Sequence, residues 1–187
     1  MKKIILILST VFALGLYSCS DSFLVVESKG SILESDYYKS ADRLYSGLVA
    51  AYDPLQWFDY FYQYNSLNMV SDIMADDIYC GGSNEGDQPI LVKAHFYTAT
   101  PTDVPNMIWT TAYSGINRSN IVIAKAPEIE MDEALKALYV AEAKVLKSFY
   151  YNILWKFWGN IPYYNENLSF PYICDQMQAD QVYQSVI

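Results

Sequence analysis

The sequence predicts an all-α fold of stacked helical hairpins joined by long irregular loops, and three observations carry that expectation. Apolar residues recur at spacings of three and four over several long stretches. Asp, Ser and Pro stand where such stretches would begin and end. Of 187 residues, 52% are hydrophobic and 18% charged, enough apolar material for a core and too little charge for a disordered chain.

The elements follow in chain order. Met1, Lys2 and Lys3 form a short positive start, and Ile4 to Tyr17 is a nearly unbroken apolar run. At about 14 residues the run is short of the roughly 20 a spanning helix needs, and it suits a secretory leader over 1–18. Cys19 follows where the run stops, with a polar Ser20-Asp21-Ser22 after it. That arrangement predicts a lipoprotein cleavage site, with Cys19 acylated and residues 19–34 as a lipidated tether. An ordinary secreted protein with an incidental Cys is the alternative. Several acyl chains, each gaining about 0.8 kcal/mol per buried CH₂, anchor firmly without a membrane-spanning helix.

Ser35 is placed to cap a helix in which Tyr37, Ala41, Leu44, Tyr45, Leu48, Val49 and Tyr52 share a face. Asp53-Pro54 should end it, because the residue before Pro is pushed out of the helical region. A second, less regular helix is expected from about Trp57 to Met74. The turn-rich run Gly81 to Asp87 breaks the pattern, Pro89 should block helix growth after it, and Ile90 to Tyr97 is expected to be extended. Asp103 should cap a helix carrying Ile108, Trp109, Ala112, Tyr113 and Ile116, closed by Ala126-Pro127. Asp132 should cap a long helix through Leu146, Phe149, Tyr150 and Leu154, with Gly159 at its left-handed end and Pro162 beyond. Pairing Ser35–Met74 and Asp103–Trp158 gives two stacked hairpins of the tetratricopeptide type, though that repeat's strict consensus is absent. Asp180 to Ile187 reads as a helix that begins and stops without a cap or polar tail, as in a chain cut from something longer.

Composition excludes some functions. Acids number 21 against 12 Lys and Arg, a net charge of −9, which opposes nucleic-acid binding, where clustered cations must release counterions. Tyr numbers 18 and aromatics make up 16%. Tyr buries a flat face while its hydroxyl keeps a partner in water, protein or ligand, so this excess requires a role. Cys80 and Cys174 lack metal-ligand or C-x-x-C spacing and are expected to be buried thiols, their pairing left open. No metal or cofactor motif occurs, and none is expected.

Four stretches carry a resemblance. They are Cys19-Ser-Asp-Ser-Phe-Leu with Glu27-Ser-Lys-Gly-Ser; the helix Ala41 to Tyr52; Ile108-Trp-Thr-Thr-Ala-Tyr-Ser-Gly-Ile-Asn-Arg-Ser-Asn-Ile; and Ala141-Glu-Ala-Lys-Val-Leu-Lys-Ser-Phe-Tyr-Tyr, running on to Phe157-Trp-Gly-Asn-Ile-Pro. Over essentially all the expected mature chain, the sequence resembles the N-terminal part of the SusD/RagB family of outer-membrane lipoproteins. The resemblance implies a tetratricopeptide-like helical domain over 35–187, incomplete at its C-terminus because family chains are longer. It also implies a surface-exposed outer-membrane location and capture of a nutrient, usually oligosaccharide, for a SusC-like TonB-dependent transporter. Lys144 and Lys147 stand where the family commonly shows Arg, a change that could loosen a buried ion pair.

Sugar binding requires flat aromatic faces for C–H-rich pyranose surfaces and amides or carboxylates for hydroxyls. Trp57 after the Pro54 break, Tyr79 at the mouth of the Gly-rich loop and Asn84 within it are the candidate ligand residues. Trp109, Trp155 and Trp158 lie on periodic helix faces and read as core. Asn117, Asn120, Glu142 and Lys144 interrupt apolar stripes, either as a polar pocket or, preferred here, as interhelical hydrogen-bond partners. Two other functions stand as alternatives: a docking or lid subunit with no ligand site of its own, and a surface glycosidase using Asp72, Asp76 and Asp77. Adjacent Asp76 and Asp77 would point about 100° apart on a helix, which disfavours a facing pair. His95 is the single His and reads as structural.

Overall fold

In the computed structural model, residues 34–59, 66–84 and 86–187 are described. The expected leader at 1–18, Cys19 and the tether up to residue 33 lie outside them. The chain divides into Met1–Tyr37 and Tyr38–Ile187. Of the first unit only a short helix, α1 (Glu34–Tyr37), is described.

The second unit begins with α2 (Ala41–Tyr52). Its cap is Ser40, whose extended backbone and side-chain oxygen receive the Arg43 N–H. The expected cap Ser35 instead sits inside α1, because the chain leaves helical geometry after Tyr37 and restarts at Ser40. Leu44, Leu48 and Ala51 are buried, whereas Tyr45, Val49 and Tyr52 of the same expected stripe are exposed. Pro54 opens α3 (Pro54–Trp57) directly. Asp53 is not pushed out of the helical region: it stays there at φ −52°, ψ −40°, held by Arg118 and Gln56. Pro at the first helical position needs no N–H partner, so the axis breaks and restarts without an extended link.

The single helix expected from Trp57 to Met74 is not continuous. Ser66, extended, caps α4 (Leu67–Met74) by accepting from Met69 N–H. Pro89 does not prevent a helix but starts one, α5 (Pro89–His95), after Gln88 adopts φ +55°. Residues expected to be extended are therefore helical, with Leu91 and Ala94 buried on one face. The pairing also differs: α4 packs on α5, and α2 packs on the later hairpin.

That hairpin is α6 (Asn106–Lys125) and α7 (Glu133–Trp158), joined through a 3₁₀ turn, Ala126–Glu128. Asp132 caps α7 as expected, its carboxylate accepting from Leu135 N–H at 2.9 Å. Asp103 does not cap α6, which begins after Pro105. It binds Lys93 Nζ at 2.6 Å and Thr100 Oγ1 at 2.5 Å. Gly159 ends α7 at φ +69°, ψ −90°: the expected positive φ is present, but ψ lies outside the left-handed helical region that was also expected. With α2 laid across α6 and α7, the helices form the stacked tetratricopeptide-like arrangement expected from the sequence. Leu44, Leu48, Ile108, Ile116, Tyr150 and Leu154 are central to its core.

Beyond α7, β1 (Ile161–Pro162) pairs antiparallel with β2 (Gln176–Met177), and α8 (Ala179–Val186) folds back on α7. Trp155 Nε1 donates to Ala179 C=O at 3.0 Å. Much of the Tyr excess serves this region. Tyr113 Oη donates to Pro162 C=O at 2.7 Å, and Tyr151 Oη both donates to Tyr164 C=O and accepts from Tyr164 N–H. These phenols bury their rings in the helical core and supply hydrogen bonds that the irregular backbone cannot make with itself.

Candidate ligand-binding surface

The three sequence-predicted ligand residues occupy different surroundings. Trp57, at the end of α3, is half-buried with the Arg118 guanidinium 4.7 Å from its ring centroid. Arg118 also donates to Ala50 C=O at 2.7 Å and to Asp53 at 2.9 Å. The Trp57 ring is thus part of a junction among α2, α3 and α6 that is fixed by a cation–π contact. The Arg118 bond, with help from Gln56, holds the Asp53 carboxyl below its ordinary range.

Tyr79 is 72% exposed and meets the His95 ring edge-on at 5.3 Å. Asn84 closes a tight turn, its Oδ1 accepting from Gly86 N–H at 2.8 Å and its Nδ2 donating to Ser83. The Asn84 amide is therefore engaged in shaping its own loop. His95 packs between Tyr79 and Phe96, and its buried Nδ1 has no hydrogen-bond partner among the described residues.

The polar residues within the apolar stripes behave as interhelical and loop ties. Asn120, buried, donates to Asn167, which donates to Asn117 C=O. Glu142 accepts from Tyr52 Oη at 3.0 Å. Lys147 is buried and donates to both oxygens of Asn165, with burial pulling its ammonium below the usual range; Lys144 is exposed. Cys80 and Cys174 are unpaired and half-buried. The acids also fall differently. α4 stops at Met74, and Asp76 takes φ +65°, so Asp72, Asp76 and Asp77 do not share one helix.

A further concavity lies elsewhere. A cleft of about 880 Å³ opens where the 99–106 segment, the start of α6, the end of α7 and β2 converge. Its walls include Thr100, Asn106, Trp109, Trp158, Asn160 and Gln176. A smaller recess of about 210 Å³ shares Ala99, Val104 and Trp158 with it and reaches Tyr97, whose hydroxyl donates to Met74 C=O. Trp109 and Trp158, read from periodicity as core, are half-buried and meet edge-to-face at 5.1 Å and 80°. Periodicity could not separate a core face from a cleft wall. The sequence signal was the run Trp158-Gly159-Asn160 at a helix end, where an indole and an amide leave regular structure together.

The chain is 27% identical over 166 residues to SusD-like protein P38 of Formosa agariphila, covering 88% of this chain and 31% of that protein. The solved structure of surface glycan-binding protein A from Bacteroides uniformis matches 78% of this chain at 39% identity, with a TM-score of 0.73. This is a SusD-like chain. The same protein A from Bacteroides thetaiotaomicron, in complex with laminarihexaose, matches 79% of the SusD-like chain at 39% identity and a TM-score of 0.72. The SusD-like chain spans about a third of the length of these relatives, 31% to 32%. No family model matches the sequence.

Proposed function

We propose that this SusD-like chain captures oligosaccharide at the outer surface of a cell and passes it to a SusC-like TonB-dependent transporter. The likeness to a surface glycan-binding protein solved with laminarihexaose carries this reading. The aromatic and amide-lined cleft supplies chemistry suited to it. Stacked aromatic faces cover the apolar surfaces of pyranose rings, and amides replace the water lost from sugar hydroxyls. The proposed role is binding, with no bond made or broken in the ligand. Tyr79, exposed beside His95, is proposed as a secondary aromatic contact.

The proposed anchor is Cys19, acylated after removal of residues 1–18, and it would hold the protein on the outer membrane. The apolar run ending at Tyr17, with only Ser18 between it and Cys19, supports it. Calorimetric titration with laminarihexaose and a panel of other oligosaccharides tests capture: saturable binding is expected, and no binding to any glycan overturns it. Copurification of a TonB-dependent transporter tests the handoff, and incorporation of labelled palmitate that is lost in Cys19→Ser tests the anchor.

A second reading, docking onto the transporter without a ligand site, is favoured by exposed apolar side chains on two helices. Leu138, Val145 and Phe149 of α7 and Tyr45 and Val49 of α2 are exposed large apolar residues. Crosslinks from these positions to a transporter, together with no glycan binding, would support it.

A further inference from the structure

The cleft beside Trp158 has a property that glycan capture alone does not require: among the described residues, its wall carries no ionisable side chain. The chain holds 21 acids and 12 Lys and Arg, yet every described residue of the wall is apolar or carries a neutral hydroxyl or carboxamide. Asp103, close in sequence to the wall, is neutralised by Lys93 at 2.6 Å and receives the Thr100 hydroxyl proton.

Three carboxamides converge there, from Asn106 at the start of α6, Asn160 after α7 and Gln176 on β2. Each can donate two hydrogen bonds and accept others, the complement of a sugar diol. Asn160 is oriented before any ligand arrives, because its Oδ1 accepts from Ala179 N–H at 2.9 Å and leaves the NH₂ to donate outward. The indoles are also fixed. Trp109 stands between Tyr113 at 4.8 Å and Trp158 at 5.1 Å, and Trp158 is backed by Phe157 at 5.6 Å. Side chains ordered in advance lose little conformational entropy on binding. A volume of about 880 Å³ lies within the roughly 300–1,000 Å³ range of small-ligand sites.

We propose that this cleft is a saccharide subsite selective for uncharged sugars, with Trp158 as its stacking surface and Asn106, Asn160 and Gln176 as its hydroxyl-binding groups. A uronate or sulfated sugar would lose hydration there and find no cation among the described wall residues to replace it. A neutral sugar exchanges its water for amides at little cost. The proposal rests on glycan capture and adds the ligand's location and charge class.

The test is titration of the full chain, at one ionic strength, with laminarihexaose, a panel of other uncharged hexasaccharides and hexagalacturonate. Asn106→Ala, Gln176→Ala and Trp158→Ala are titrated with the best uncharged ligand, and a melting curve is recorded for each. Asn106 and Gln176 are exposed, so their variants keep the test valid if Trp158→Ala fails to fold. Expected are uncharged ligands preferred by at least tenfold, Trp158→Ala weakened about tenfold, and each amide variant weakened about three- to tenfold, the scale of one lost hydrogen bond or stacking contact. If the wild type binds an uncharged glycan and the amide variants bind it equally well, the subsite is overturned while capture stands. Equal affinity for hexagalacturonate overturns the charge selectivity. No binding to any glycan overturns capture and this proposal together.

Discussion

Tyr150 on α7 lies against Gly115 on α6 so closely that a Cβ at position 115 would stand 2.3 Å from the Tyr150 ring. The same phenol donates to Ala51 C=O on α2 at 2.7 Å and is fully buried. One side chain thus joins the three helices that form the core of the second unit. Gly115→Ala must separate α6 from α7 or displace the ring. Overpacking of this kind costs about 1–3 kcal/mol. Tyr150→Phe keeps the ring and should lose about 1 kcal/mol by leaving the Ala51 carbonyl unpaired. Chemical denaturation of both variants checks this ordering, and a Gly115→Ala variant as stable as wild type would contradict the close approach.

The Asp53 carboxyl, held low chiefly by its bond to Arg118 and then by Gln56, has an ordinary value of 3.8. A depressed carboxyl contributes stability above its ordinary value and loses it as pH falls through the lower folded value. The melting temperature should therefore drop below about pH 4, and Arg118→Met should flatten that acid limb. Melting curves over about pH 7 to 2.5 measure it. An unchanged limb in Arg118→Met would show that the pair contributes nothing.

Burial raises the phenols of Tyr113, Tyr150 and Tyr151 above their ordinary value of 10.0. Such groups stabilise fully below that value. Above it, the unfolded chain releases protons that the folded chain retains, so stability falls. Melting temperature should decline steeply from about pH 10. Tyr151→Phe should make the decline shallower while lowering stability at neutral pH, where it loses both bonds to Tyr164. A flat profile from about pH 8 to 11 would refute this.

Capping gives a local check. Ser40→Ala and Asp132→Ala should each cost about 1 kcal/mol, because their oxygens receive the first N–H groups of α2 and α7. Ser35→Ala should cost less, since Ser35 does not cap α2. Equal losses at Ser35 and Ser40 would reverse the assignment.

The long helices were legible because apolar spacing and a strong cap agreed, as at Asp132 and along Leu146, Tyr150 and Leu154. The region around Pro was not. Pro54 and Pro89 read equally as stops or as first helical residues, and tertiary partners decide between them, with Arg118 holding Asp53 in helical geometry. The resemblance identified the kind of protein, while its candidate aromatics were chosen for lying off the helix stripes. That criterion favoured Trp57, whose ring meets Arg118. It passed over Trp158, which is periodic in sequence but sits at the final turn of α7, where the helix ends and a cleft begins. Convergence of segments as distant as Asn106, Asn160 and Gln176 has no periodic signature in a chain.

The most direct test is a crystal structure of the chain with the uncharged oligosaccharide that binds it best. The expected result is a sugar ring stacked on Trp158, with hydroxyls within hydrogen-bond distance of the Asn106, Asn160 and Gln176 amides. A saturating glycan found on another surface, with the Trp158 cleft empty, would contradict the account.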